Sequence, residues 1–266
     1  MAMPLMIDLR SSDADERDKH AIDADADADN IQKFDRCVTN KMAMPLMIDL
    51  RSSDADERDK HAIEADADAD NIQTLFLSES SLAEFPTTFV EQAYDLRVLH
   101  LATNLIPSIP SIIANLQKLR YLSLNNNLLT SLPYEFSALV SLEILDISNN
   151  KLARDWPIPE LANIKSINIS NNQITTFYVQ SQYPHLEMLN ATSNCLSSMV
   201  PAHLGRLTML LVADNQLSSL PSEWVASDSS TRRLKQLLVN SNPWGKEANE
   251  ILSILKANNK DFVCDA

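Results

Sequence analysis

The feature that most constrains this chain is a spacing. From Leu119 to Pro133 the residues run L-x-x-L-x-L-x-x-N-x-L-x-x-L-P. Eight copies of that pattern lie between Ile72 and Trp244, at steps of 21 to 27 residues. Such a period describes stacked units, none of which can bury its apolar face alone. Leu122 and Leu124 flank Ser123, so both lie on one face of a short strand. Leu119, Leu129 and Leu132 complete that unit's apolar cluster. Asn127 stands where the strand ends and the chain turns inward. A buried turn leaves backbone groups in need of partners, and an amide side chain offers both donors and an acceptor. Stacked copies are therefore expected to place these amides in a ladder. Pro133 fixes the return segment without needing a donor.

The copies centre on Leu75, Leu99, Leu122, Leu145, Ile167, Leu189, Leu210 and Leu237. The first has Ser80 in place of Asn, as a terminal unit does. The fifth lacks the Pro, and the fourth displaces it to Trp156-Pro157. The chain holds only two Gly, so its turns must use Asn, Ser, Asp and Pro. Steps near 23 residues with Leu-Pro at the turn resemble the intracellular plant and Ras-associated type of leucine-rich repeat protein. The resemblance covers about residues 72–244. It implies an α/β solenoid with a curved, parallel concave sheet and a short helical or irregular convex side.

Four regions follow. Residues 1–32 and 42–73 are copies that differ only at Asp23 and Glu64. Residues 1–41 are read as a duplicated acidic leader without fixed structure and dispensable. Residues 42–71 are the second copy, an N-terminal cap with a short polar helix from about 53 to 64. Residues 72–244 are the repeats, with 226–231 expected to bulge as a loop. Residues 245–266 are a capping helix and tail, because Ala248, Ile251, Leu252 and Leu255 recur on one helical face.

The net charge of −14 is uneven: residues 1–73 carry −10 and residues 74–266 carry −4. A nearly neutral body without a basic face excludes a nucleic-acid phosphate binder. Cys37, Cys195 and Cys264 are scattered and odd in number, which favours a reduced setting. A cytoplasmic or nuclear location is expected, with no signal peptide and no membrane span. The acidic runs at 23–29 and 64–70 lack the turn Gly and final Glu of a calcium loop, so no metal site is assigned. Neither a catalytic triad, a zinc motif nor a phosphate loop is present, so no enzyme activity and no cofactor are expected.

Binding is the better expectation. Eight strands about 4.8 Å apart make a face of roughly 35 Å. The residue between the two core positions of each unit points outward; that row includes His100, Asp146, Asn168 and Leu211. The residue before the first core position forms a second row, with Val98, Tyr121 and Ile144 in adjacent units and then Met188 and Met209. Apolar and aromatic residues in line on a face expected to meet solvent indicate a partner surface. Arg97, Arg120, Glu143, Lys165 and Glu187 form a mixed-charge rim beside it. The reading is a monomeric adaptor or scaffold that binds a protein partner. The resemblance implies a small GTPase, a phosphatase or a kinase as partner types. The alternatives are an extracellular or immune-type recognition module and a non-catalytic piece of a larger enzyme.

Overall fold

Each unit contributes one short strand, because its central core residue lies only five positions before the turn Asn, as Leu122 does before Asn127. In the computed structural model, the residues described are 6–8, 46–49, 72–153, 159–179, 183–201, 206–222, 233–258 and 263–265. The unit strands are β3 (Ile72–Phe76), β4 (Val98–His100), β5 (Tyr121–Ser123), β6 (Ile144–Asp146) and β7 (Ser166–Asn168). They continue as β9 (Met188–Asn190), β11 (Met209–Leu211) and β12 (Gln236–Leu238). All pair in parallel, with Leu75, Leu99, Leu122, Leu145, Ile167, Leu189, Leu210 and Leu237 in one unbroken register. The chain is an α/β solenoid built on that sheet.

That register makes one continuous core. The aligned column is buried throughout, as are Leu77, Leu101, Leu124, Ile147, Ile169, Ala191, Val212 and Val239 two residues on. A third column, from Leu96 through Leu119, Leu142, Ile164, Leu186 and Leu207 to Leu234, closes the interior behind them.

The asparagine ladder is present. Asn127 Oδ1 accepts from the Ile106 amide at 3.1 Å, and its Nδ2 donates to the Leu101 carbonyl at 2.9 Å, both in the preceding unit. The same Nδ2 donates to Leu124 O in its own unit at 3.0 Å. Asn104, Asn150, Asn172, Asn194, Asn215 and Asn242 repeat this arrangement. The residue before each of these seven adopts a left-handed conformation with φ between 51° and 57°. Asn fills that position at 126, 149 and 171, but Thr103, Ser193, Asp214 and Ser241 also occupy it. With Gly so scarce, the ladder bonds hold non-glycine residues in a region that costs about 1–2 kcal/mol.

The return side varies with proline. Pro110 and Pro133 directly precede 3₁₀ turns at Ser111–Asn115 and Tyr134–Ala138, which bury Ile113 and Phe136. The earlier unit uses a short helix, α1 (Thr87–Gln92), after Pro86. Unit five has no Pro there and unit six carries Pro201 one residue late; their return segments are extended and pair as β8 (Thr176–Val179) with β10 (Ser198–Pro201).

Both ends carry further strands. β1 (Met6–Asp8) and β2 (Leu46–Asp49) extend the sheet beyond β3, identical residues of the two leader copies pairing as Met6↔Met47, Ile7↔Ile48 and Asp8↔Asp49. At the other end α2 (Lys246–Asn258) buries Ala248, Ile251, Leu252 and Leu255, with Trp244 packed on the same core. β13 (Val263–Asp265) then pairs with β12, a strand that the sequence reading left within the tail. The sheet has eleven strands in the order β1-β2-β3-β4-β5-β6-β7-β9-β11-β12-β13. The helix expected over 53–64, the acidic runs, the displaced Trp156-Pro157 and the loop at 226–231 fall outside the described residues.

Candidate partner-binding face

The side chains that alternate with the core leucines lie on the outer face of the sheet, where the two rows expected from the sequence fall. Val98, Tyr121 and Ile144 stand next to one another in register, and Met188 stands next to Met209. His100 is neighbour to Phe76 and Ser123, and Asp146 to Asn168.

Their exposure differs from the expectation. Val98, His100, Ile144, Asp146, Met188 and Met209 are half-buried. Tyr121, Asn168 and Leu211 are buried, at 6%, 7% and 5% exposure. The cause is the strand spacing. At about 4.8 Å, a side chain on a central strand is flanked by a neighbour on either side, and large neighbours cover it. The face is thus a filled surface and not a row of projecting groups.

Its N-terminal part is aromatic. The rings of Phe76 and His100 stack with centroids 4.5 Å apart and planes 13° apart. His100 and Tyr121 follow at 4.9 Å with a tilt of 41°. Tyr121 reaches His100 diagonally, because the position directly beside His100 holds small Ser123. Phe76 occupies the same outward row as His100, one unit earlier. The available signal was Phe76 next to His100 in adjacent units, with Tyr121 two positions off in the third.

Its central part is polar and self-satisfied. The Asp146 carboxylate accepts from the Ser148 amide at 2.9 Å and the Ser148 hydroxyl at 2.7 Å. Asn168 Oδ1 accepts the same pair of bonds from Ser170, and Asn190 Oδ1 accepts from the Thr192 amide. Each side chain closes its own turn two residues on. Burial between strands pushes the Asp146 carboxyl above the ordinary carboxylate range, against the lowering effect of the bonds from Ser148 and Asn168. Two matches to the N-glycosylation pattern, at Asn168 and Asn190, fall on these buried amides and are not accessible acceptors.

Among the described residues no group of three or more His, Cys, Asp or Glu is placed to hold a metal ion, and no helix is long and apolar enough to cross a membrane. Cys195 is a free, half-buried thiol.

Residues 95–152 match the family described as Leucine rich repeat, and residues 140–182 match Leucine Rich repeats (2 copies). No curated protein matches the chain. Among solved structures it is similar to an internalin, InlF, from Listeria monocytogenes, at 23% identity and a TM-score of 0.65, over 82% of this chain and 59% of that one. It is also similar to the repeat ectodomain of the plant membrane receptor kinase GASSHO1/SCHENGEN3 from Arabidopsis thaliana, at 30% identity and a TM-score of 0.56, over 66% of this chain and 22% of that one. A third is the plant peptide hormone receptor RGFR1, at 28% identity and a TM-score of 0.52, over 60% and 27%. The chain therefore spans about three fifths of the internalin and about a fifth of the first plant receptor. With its strand register, its ladder and these matches together, the chain is a leucine-rich repeat protein.

Proposed function

We propose that this chain is a protein-recognition module that takes a protein partner on the N-terminal part of its sheet face. Leucine-rich repeats are a fold of binding modules, and the partner is this chain's own question. The observation that carries the reading is the continuous surface formed by Phe76, Val98, His100, Tyr121 and Ile144, with stacked rings at its centre. A rigid, pre-packed aromatic surface loses little side-chain entropy on binding, which is the property of interface anchors. Met188, Met209 and Leu211 extend it toward the C-terminal end with adaptable thioethers. Asp146 and Asn168 between the two parts supply polar contacts.

In this reading the module is an intracellular adaptor or scaffold, consistent with the unpaired thiol of Cys195. Small GTPases, phosphatases and kinases are the partner types to try first. A second reading is an extracellular or immune-type recognition module, favoured by the 30% identity to a receptor ectodomain solved in complex with CASPARIAN STRIP INTEGRITY FACTOR 2. Localisation of the tagged full chain separates the two.

The test uses Val98→Asp with Ile144→Asp, both half-buried and outside the core columns. Affinity capture with the full chain should recover a specific partner that the double variant loses, while the melting temperature stays within a few degrees. Full retention of that partner by a folded double variant would refute the assignment of the face.

A further inference from the structure

Beside the sheet, one residue before each strand, runs the row Arg97, Arg120, Glu143, Lys165 and Glu187. Two residues earlier in each unit runs a second row, Asp95, Lys118, Ser141, Asn163, His185 and Arg206. The long members of the second row are engaged at its two ends. Lys118 pairs with Asp95, and Arg206 Nη1 lies 3.1 Å from His185 Nδ1. The two middle members are short. Between the engaged ends this leaves a hollow of about 310 Å³, lined by Arg120, Ser141, Glu143, Asn163, Lys165 and His185.

The groups facing the hollow are mostly donors. Arg120 is exposed, and its guanidinium has no hydrogen-bond or ion-pair partner among the described residues. Lys165 Nζ bonds one oxygen of Glu143 at 2.6 Å and has two further protons to give. Arg206 can only donate, so His185 Nδ1 accepts and Nε2 carries the ring proton. Asn163 is held by its bond to the Val140 carbonyl at 2.7 Å. Two fixed positive charges against one negative leave room for one more negative charge, and the space suits a single small group. Glu143 on the wall disfavours a phosphate dianion by like-charge repulsion. A guanidinium fork matches a planar carboxylate with two parallel bonds.

We propose that this hollow is a carboxylate site that takes an acidic side chain of a peptide. The inference names a partner chemistry for the flank of the sheet. It rests on the binding reading above only in taking the ligand to be protein. Arg120 grips the carboxylate, Lys165 and the His185 Nε2 proton support it, and Glu143 sets the affinity by competing for Lys165.

The probe is a tetra-glutamate peptide blocked at both ends, titrated into the full chain and followed by NMR of the Arg120 side chain. The expected result is saturable binding that falls with added salt and is absent for the tetra-glutamine peptide. Arg120→Gln should weaken it about tenfold, the scale of one charged hydrogen-bond pair. Glu143→Gln should strengthen it by releasing Lys165, an effect that damage to the fold would not produce. Val98→Asn with Ile144→Asn, a version of the sheet-face double variant that adds no charge beside Arg120 and Glu143, should leave it unchanged, so loss of the sheet-face reading and loss of this one are told apart. Equal binding of the glutamine peptide, indifference to Arg120→Gln, weaker binding by Glu143→Gln, or tighter binding of inorganic phosphate at the same residues would each overturn the proposal.

Discussion

Asn127 and Asn168 are the same residue type, are buried to a similar degree at 5% and 7%, and lie two units apart, Asn127 in the turn after β5 and Asn168 as the last residue of β7. Their work is different. Asn127 faces the interior side of the turn and bonds two units, through Ile106 N and Leu101 O. Asn168 stands on the sheet face, closes its own turn through Ser170, and reaches the preceding unit only through the Asp146 carboxylate, holding no backbone group there. The inner amide holds the stack together; the outer one finishes a turn. Chemistry alone does not assign the role. Position relative to the core columns does, and the same rule separates Leu122 in the interior from Leu211 on the face.

Substitutions can sharpen or break that division. The largest effect belongs to the inner column: Leu122→Ala leaves a cavity in a site at 0% exposure and should cost about 2–5 kcal/mol, read by urea unfolding. Asn127→Ala should come next, at about 3 kcal/mol, because it strands an amide and carbonyls of two units. Asn168→Ala, by contrast, should cost about 1 kcal/mol or less in the same assay. Equal losses for Asn127→Ala and Asn168→Ala would erase the distinction.

Asp146 gives the division a pH signature. Its carboxyl is raised in the folded chain, so over the range between its ordinary value and its folded value the native state holds more protons than the unfolded state. Stability attributable to this group is present in acid and falls as pH rises through that range. Asp146→Asn keeps an acceptor for Ser148, as Asn168 does for Ser170, and removes the half-buried charge. The variant should be more stable than the parent at neutral pH by about 1 kcal/mol, with the gap closing in acid. A gap independent of pH would show that burial of the charge is not its cause. The smallest effect is reserved for the leader. β2 covers the edge of β3 while β1 pairs only with β2, so deleting residues 1–41 should shift the melting temperature by only a few degrees.

Much of the architecture was legible in the one-dimensional pattern. The positions of Leu75 to Leu237, the ladder amides and the turn prolines follow from spacing, because each unit repeats the same local problem and has the same local solution. The helical face at Ala248, Ile251, Leu252 and Leu255 was equally open to reading, since periodicity shows which side chains share a side. The outer face was legible only as a roster. Val98, Tyr121, Ile144, Met188 and Met209 were placed in their row, but their cover was not, because exposure depends on the size of neighbours 21 to 24 residues away. The ring contacts of Phe76, His100 and Tyr121 arise from a diagonal approach that only adjacent small Ser123 permits. The strained turn at Thr103 was hidden too, since Thr carries no sign of a left-handed backbone.

The sequence by itself determined the repeat, the core columns and the inner ladder, because those depend on residue type at a fixed interval. The tertiary structure alone decided which outward side chains are shielded, which rings meet, and where two short residues between engaged long ones open a hollow at Arg120 and Lys165. Such features depend on distances between units, and a linear spacing carries no information about how side chains from different units fill the gap between them.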